Sequence, residues 1–238
     1  MKKLIFFLMI LFCITGCKNN QNVLIMATEA GFAPYEYYEN GKIVGVDVDI
    51  AYKIAEELGK ELVIKDVAFD SIINEIKTGK SHFGAAGISY TDERSKEVDF
   101  TINYTTSKQV VIVKKDSNLE GLNLKNKRVA VQLGSVADTY ISKNYSKNEI
   151  IRQKKYLACI QDLLTNKVDV VVMDELPALE ILKTNSNLKI LDGYLFQDTY
   201  GMIVKKGNKE LLDAINKVLS ELKENGKIDE FIINHSNN

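Results

Sequence analysis

Cysteine, histidine and surplus basic charge are all scarce in this 238-residue chain, and each shortage removes a class of function. His82 and His235, its two histidines, lie far apart with no ligand spacing around either. Zinc coordination and Cys–His nucleophilic catalysis are therefore disfavoured. The net charge is −1 and no polybasic stripe occurs, which leaves no field for nucleic acid. No glycine-rich dinucleotide fingerprint, P-loop or HExxH pattern is present, no internal repeat is evident, and nothing calls for a cofactor.

What is present begins with a leader. Lys2 and Lys3 form a positive start, and Leu4–Cys13 is an apolar run too short for a comfortable membrane span. Ile14-Thr15-Gly16-Cys17 then resembles the lipobox of bacterial lipoprotein signal peptides. That resemblance implies cleavage after residue 16, a lipid on Cys17 and anchorage to the bacterial cell membrane from outside the cytoplasm. Residues 17–22 form a polar tether. Cys13 leaves with the leader and Cys17 carries lipid, so Cys159 stands alone and no intramolecular disulfide can form. Its apolar helical surroundings make it a buried core thiol.

Beyond the tether, short Val- and Ile-rich runs alternate with helical patterns, the signature of layered α/β structure. The strand-like runs are 23–27, 62–66, 83–86, 109–113, 128–131, 168–173, 189–191 and 201–204. One helix starts near Asp47, which can cap it, carries Ile50, Ile54 and Leu58 on one face, and stops at Gly59. Others fit 70–77, the segment after Thr91, 136–143, 157–166, 175–185, 208–225 and 227–233. Asp47 and Asp49 invite a catalytic-pair reading, but a helix start is where carboxylates suit the dipole.

Four segments carry chemistry. Phe83–Phe100 places an open backbone at Gly87, a hydroxyl at Ser89 and a guanidinium at Arg94 beyond a strand. Those groups suit a small carboxylate; the plainer alternative is a capped helix whose Arg94 pairs with Asp92 or Glu93. Gln132-Leu133-Gly134-Ser135-Val136 is a strand-to-helix turn, where free N–H groups and a dipole end can face an anion; Ser135 can equally be a simple cap. Asp174 stands where a buried strand emerges, either facing a crevice or capping the next helix. The loop after the first strand carries Glu29, Phe32, Tyr35 and Tyr37.

Taken in order, these segments resemble the bacterial extracellular solute-binding proteins for amino acids, the receptors of ABC importers. The resemblance runs through Phe32–Tyr37, Gly41–Ala51, Phe69–Ile73, Phe83–Phe100, Val129–Ser135, Val168–Asp174 and Tyr200–Asn208. It implies a type II periplasmic-binding-protein-like α/β fold, with two α/β lobes joined by two crossing hinge strands. Lobe 1 would be about 22–104 plus 202–238 and lobe 2 about 109–197, with hinges near Tyr104–Lys108 and Asp198–Gly201. It also implies roles. Arg94 would grip the ligand's α-carboxylate, helped by the Ser89 hydroxyl and by N–H groups around Ser135 and Val136. The Gly87 carbonyl and Asp174 would take the α-ammonium. Phe32 and Phe69 would sandwich the side chain, and Glu29 and Gln132 would meet its far end.

A zwitterion enclosed away from water needs one cationic and one anionic partner, which this assignment supplies from opposite lobes. Glu29 favours a cationic or amide-bearing side chain (Arg, Lys, His or Gln) and repels an acidic one. The expected partners are thus a free L-amino acid, an ABC permease and, through Cys17, a membrane, with the protein a monomer. Two rival classes use the same fold: a dehydratase acting on cyclic prephenate-like acids, which needs a general acid such as Glu29 or Glu175, and a ligand-sensing lipoprotein without transport.

Overall fold

The β-branched runs and the amphipathic segments sort into two sheets flanked by helices, described over residues 22–236 in a computed structural model. The leader, the lipobox and Cys17 lie outside the described residues. Among the described residues no helix is long and apolar enough to cross a membrane.

The chain opens with β1 (Val23–Thr28), a hairpin of β2 (Tyr37–Glu39) and β3 (Lys42–Val44), α1 (Val46–Glu57) and β4 (Glu61–Asp66). A 3-10 turn at Phe69–Ser71 leads into α2 (Ile72–Lys77), followed by β5 (Phe83–Gly84), α3 (Asp92–Glu97) and β6 (Val98–Phe100). The ten-residue β7 (Thr105–Lys114) carries the chain into the second sheet. There follow β8 (Val129–Gln132), α4 (Val136–Asn144), β9 (Ile150–Gln153), α5 (Tyr156–Leu164), β10 (Val170–Asp174), α6 (Glu175–Thr184) and β11 (Leu188–Ile190). The return runs through β12 (Phe196–Tyr200) to β13 (Ile203–Lys205), α7 (Lys209–Glu224) and α8 (Lys227–Ser236).

The first sheet has the order β4-β1-β5-β13-β6, and the second β11-β7-β10-β8-β9. Within the second, β12 lies antiparallel along β7, from Phe196 opposite Gln109 to Tyr200 opposite Thr105. That ribbon is the covalent and hydrogen-bonded bridge between the sheets. The fold is therefore the two-lobed type II binding-protein architecture that the sequence implies.

Helix α1 buries Ile50 and Ile54 completely, at about 1.5–3 kcal/mol for each side chain removed from water. It packs against α7, whose Ile215, Val218 and Leu219 form the matching stripe. Cys159 is buried and unbridged, as expected of a core thiol. His82 accepts from the Ile25 N–H, and His235 sits between Tyr37 and Asp49; no acid, His or Cys cluster able to hold a metal occurs among the described residues.

Asp47 does not cap α1. The cap position is Gly45 at φ 133°, and Asp47 lies in the first turn, fully buried, accepting from the Gly87 N–H at 3.0 Å and the Tyr104 hydroxyl at 2.6 Å. The cap position itself must be glycine, because a Cβ at residue 45 would lie 2.1 Å from the Tyr35 carbonyl oxygen. Only glycine lets the 34–36 loop close onto the helix start. Strand β5 also ends two residues earlier than the apolar run 83–86, because the chain there turns toward Gly87 at φ 53°.

Replacing Gly45 with alanine should therefore destabilise the protein by at least about 1–3 kcal/mol, through a strained backbone and a clash. Urea unfolding checks this, and an unchanged midpoint would show that the loop gives way freely.

Candidate functional site

The C-terminal ends of β1, β8 and β10 and the turn after β5 face one another across the space between the lobes. Nine expected residues line a single narrow cleft: Glu29, Phe32, Phe69, Gly87, Ser89, Gln132, Ser135, Val136 and Asp174. Glu36, Ala86 and Tyr156 complete the lining. Arg94 lines an adjoining hollow together with Phe69, Ile88 and Gly134, so Phe69 is common to both spaces.

Each side chain is aimed by local structure. Thr91 caps α3 by accepting from the Arg94 N–H at 3.1 Å, which fixes the arginine on the first turn. The guanidinium is not spent on Asp92 or Glu93. It donates to the Ser89 carbonyl at 2.7 Å and, across the cleft, to the Gly134 carbonyl at 2.9 Å, and lies 5.5 Å from the centre of the Phe69 ring. Burial pushes its pKa below the ordinary arginine value, with Asp198 opposing that shift.

Asp174 ends β10 and stands at the start of α6 without capping it. Its Oδ1 accepts from Ser107 at 2.8 Å, from Gln109 at 2.6 Å and from the Tyr200 hydroxyl. Burial nonetheless holds its carboxyl above the usual range, against the pull of these donors. Gly87 lies within reach of Phe32 and Tyr200, where an added Cβ would come 2.7 Å from the Phe32 ring. Its N–H is committed to Asp47.

The Ser89 hydroxyl has a partner that the sequence reading omits. It donates to Asp198 Oδ2 at 2.7 Å, so the side chain faces β12. Ser135 caps α4 by accepting from the Asp138 N–H at 3.1 Å, and its own N–H donates to the Gln132 carbonyl at 3.2 Å. Val136, the first residue of α4, is the next N–H at that helix start.

The far end of the cleft is built around Glu29, which is only 1% exposed. Gln132 donates to its Oε2 at 3.1 Å, and the Lys155 ammonium lies 3.0 Å from Oε1. Burial raises the Glu29 pKa, and Lys155 and Gln132 oppose that rise. Along the wall, Phe32 stacks on Tyr156 with ring centres 5.6 Å apart, so one ring from each lobe meets here.

Glu36, Lys155, Tyr156 and Asp198 stand in or beside the cleft without a site role expected of them from the sequence. Glu36 is 1% exposed and its carboxyl is held far above the usual range, first by burial and then by Asp47. Asp198 is pushed up to about 7 by burial and by the neighbouring Asp174 charge. The one available signal was the position of Asp198 inside the expected hinge segment. Lysines before a helix and acids in a loop read as solvated surface.

A cleft between two α/β lobes, joined by a two-stranded ribbon and lined by opposed charged groups, is the architecture of a two-lobed solute receptor. The chain belongs to the bacterial extracellular solute-binding proteins, family 3, whose family model matches residues 24–235. This membership places the protein outside the cytoplasm. The arginine-binding extracellular protein ArtP of Bacillus subtilis (strain 168) is 30% identical over 223 residues, 91% of this chain and 87% of that protein. The L-cystine-binding protein TcyJ of Escherichia coli (strain K12) is 27% identical over 215 residues, 87% of this chain and 80% of its own length. Among solved structures, the ABC transporter substrate-binding protein AbpA of Streptococcus pneumoniae Canada MDR_19A, bound to L-arginine, is 35% identical with a TM-score of 0.87. The match covers 92% of this chain and 96% of that one.

The Asp198 carboxyl has a folded-state pKa of about 7 against an ordinary 3.8. Its neutral form is favoured by folding, so the stability it contributes is complete below about pH 4 and is lost as pH rises through about 7. Asp198→Asn should shrink the fall in unfolding free energy between about pH 5 and about pH 7 by roughly 1–2 kcal/mol, read from urea titrations at both values. An unaltered difference would mean that Asp198 is solvated in the folded protein.

Proposed function

We propose that this protein binds a free L-amino acid with a cationic side chain, arginine foremost, between its two lobes and presents it to an ABC-type importer. The observation that carries the reading is the set of buried carboxyls at the cleft: Glu29, Glu36 and Asp174 line it, and Asp47 and Asp198 hold two of its lining residues, Gly87 and Ser89. Glu29, Glu36, Asp47, Asp174 and Asp198 are all held above their ordinary pKa values, and burial is the first cause in each case. Such a cluster gains from any ligand that brings positive charge into it. A basic amino acid brings two cationic groups and one carboxylate. The names of the arginine-binding relatives agree with this reading, and the cystine-binding relative shows that the family takes other amino acids as well.

In this arrangement the α-ammonium sits between Asp174 and the Gly87 carbonyl. The carboxylate meets Arg94, which keeps further N–H groups beyond those given to Ser89 and Gly134, together with the Val136 N–H. Phe32 and Phe69 flank the aliphatic stem. Glu29 and Gln132 receive the distal cation. Lobe 1 is about 22–104 plus 202–238, lobe 2 about 109–197, and the β7–β12 ribbon is the hinge. A ligand touching both lobes favours the closed arrangement because only there does it meet all its partners. The protein acts as a monomer and is held at the membrane by a lipid on Cys17, a reading that rests on the lipobox-like Ile14–Cys17.

Arg94→Ala should weaken arginine binding by ~2–5 kcal/mol, about 30- to several-thousand-fold; isothermal titration showing less than a threefold loss would remove Arg94 from the site. A thermal-shift screen of the twenty amino acids tests the specificity. Arginine or another basic amino acid should raise Tm more than aspartate, glutamate or leucine, and a larger rise with glutamate or leucine would refute the cationic reading.

A further inference from the structure

Lys155 occupies a position that helix electrostatics disfavour. It is the residue before α5, at the end where the helix dipole is positive, and it makes no capping hydrogen bond. What compensates comes from the other lobe: its ammonium lies 3.0 Å from Glu29 Oε1 and 3.7 Å from Asp66 Oδ2. The next residue, Tyr156, is fully packed against Phe32, so the backbone that carries Lys155 is fixed while its side chain is half exposed. The two acids differ. The Glu29 side chain is 2% exposed and Asp66 is 26% exposed, with Asp66 also accepting from the Ala30 N–H and the Tyr38 hydroxyl.

We propose that Lys155 is a built-in cation that competes with the ligand's side chain for Glu29 and shifts to Asp66 when a cationic ligand arrives. This inference rests on the amino-acid reading given above and adds a specificity-determining residue to it. A guanidinium reaching Glu29 meets a carboxylate that already holds an ammonium. It must displace Lys155 along the short path to Asp66, because two cations on one carboxylate repel each other. A neutral ureido or amide group can share Glu29 and Gln132 without that displacement. Lys155 therefore narrows the preference for a cationic over a neutral side chain, and Asp66 limits how much it does so. The exposed stem lets the ammonium move without unfolding its helix, so this adjustment is confined to one side chain.

The test is the ratio of dissociation constants for L-citrulline and L-arginine, which match in length and differ in distal charge, measured by titration calorimetry on the full chain. In Lys155→Met the preference for arginine should widen by about fivefold or more, and in Asp66→Asn it should shrink by about threefold or more. Both ligands are read on the same variant, so a partly unfolded preparation lowers the active fraction for both and leaves the ratio intact. A ratio that stays at the wild-type value or falls in Lys155→Met overturns the competition. A ratio unchanged in Asp66→Asn overturns the alternate seat. If the wild-type protein takes up neither ligand, the arginine reading fails and Lys155 loses its role with it. Arginine binding to the wild type with a flat ratio in both variants removes only the Lys155 mechanism.

Discussion

Concentrating carboxylates where water is thin is the constraint on which the site depends. Three acids, Glu29, Glu36 and Asp174, line the cleft, Asp47 and Asp198 stand behind Gly87 and Ser89, and burial lifts the pKa of each of the five. Arg94 and Lys155 are the cations that stand against them, and each reaches a group on the opposite lobe. Leaving such acids ionised and unpaired would cost several kcal/mol apiece, so the fold supplies donors to four of them, with Glu36, whose carboxyl oxygens meet no donor, the exception. Tyr104 and the Gly87 N–H serve Asp47, while Ser107, Gln109 and Tyr200 serve Asp174. The tyrosines of the crossing region thus have two uses: their hydroxyls satisfy acids, and their rings pack together, as with Tyr35 and Tyr200, which meet edge to face at 5.2 Å.

The hinge ribbon takes part in this electrostatic arrangement as well as joining the lobes. Asp198 lies on β12 opposite Ser107 on β7, and both belong to the same polar cluster as Asp174. Through Ser89, Asp198 also holds the turn from which Arg94 projects. Charge in the cleft and the geometry of the ribbon are therefore linked through a few hydrogen bonds, over distances at which a low dielectric keeps interactions strong.

How much of this was legible beforehand follows from what each residue reports locally. Strands β1, β4, β7, β8 and β10 announce themselves as Val- and Ile-rich runs, and α1 and α7 by one-sided apolar spacing with glycines just beyond their ends. The hairpin β2–β3, the short β6, β9 and β12 carry polar or mixed sequences such as Phe-Gln-Asp-Thr-Tyr, and only their neighbours make them strands. In the site, Gly87, Ser89, Arg94 and Asp174 sit at strand-to-helix turns that mark themselves. Lys155, Tyr156 and Asp198 gain their meaning from partners more than a hundred residues away, and Glu36 from its burial beside Asp47. Asp47 was visible as a helix-start acid, yet its true neighbour is the turn at Gly87.

The placement of β13 in the first sheet has a consequence for the order in which the protein can take shape. This strand enters between β5 and β6, pairing Ile203 with both Gly84 and Phe100. Residues 23–100 therefore cannot complete their own sheet, however early they are made, until a segment about a hundred residues later has been delivered. The second sheet draws its strands from the continuous stretch 105–200 and waits for nothing further. Long-range closures of this kind are the slow steps of assembly. During synthesis and export the half that comes first is thus the half finished last, and the central gap in its sheet is an unpaired edge for the whole of that interval.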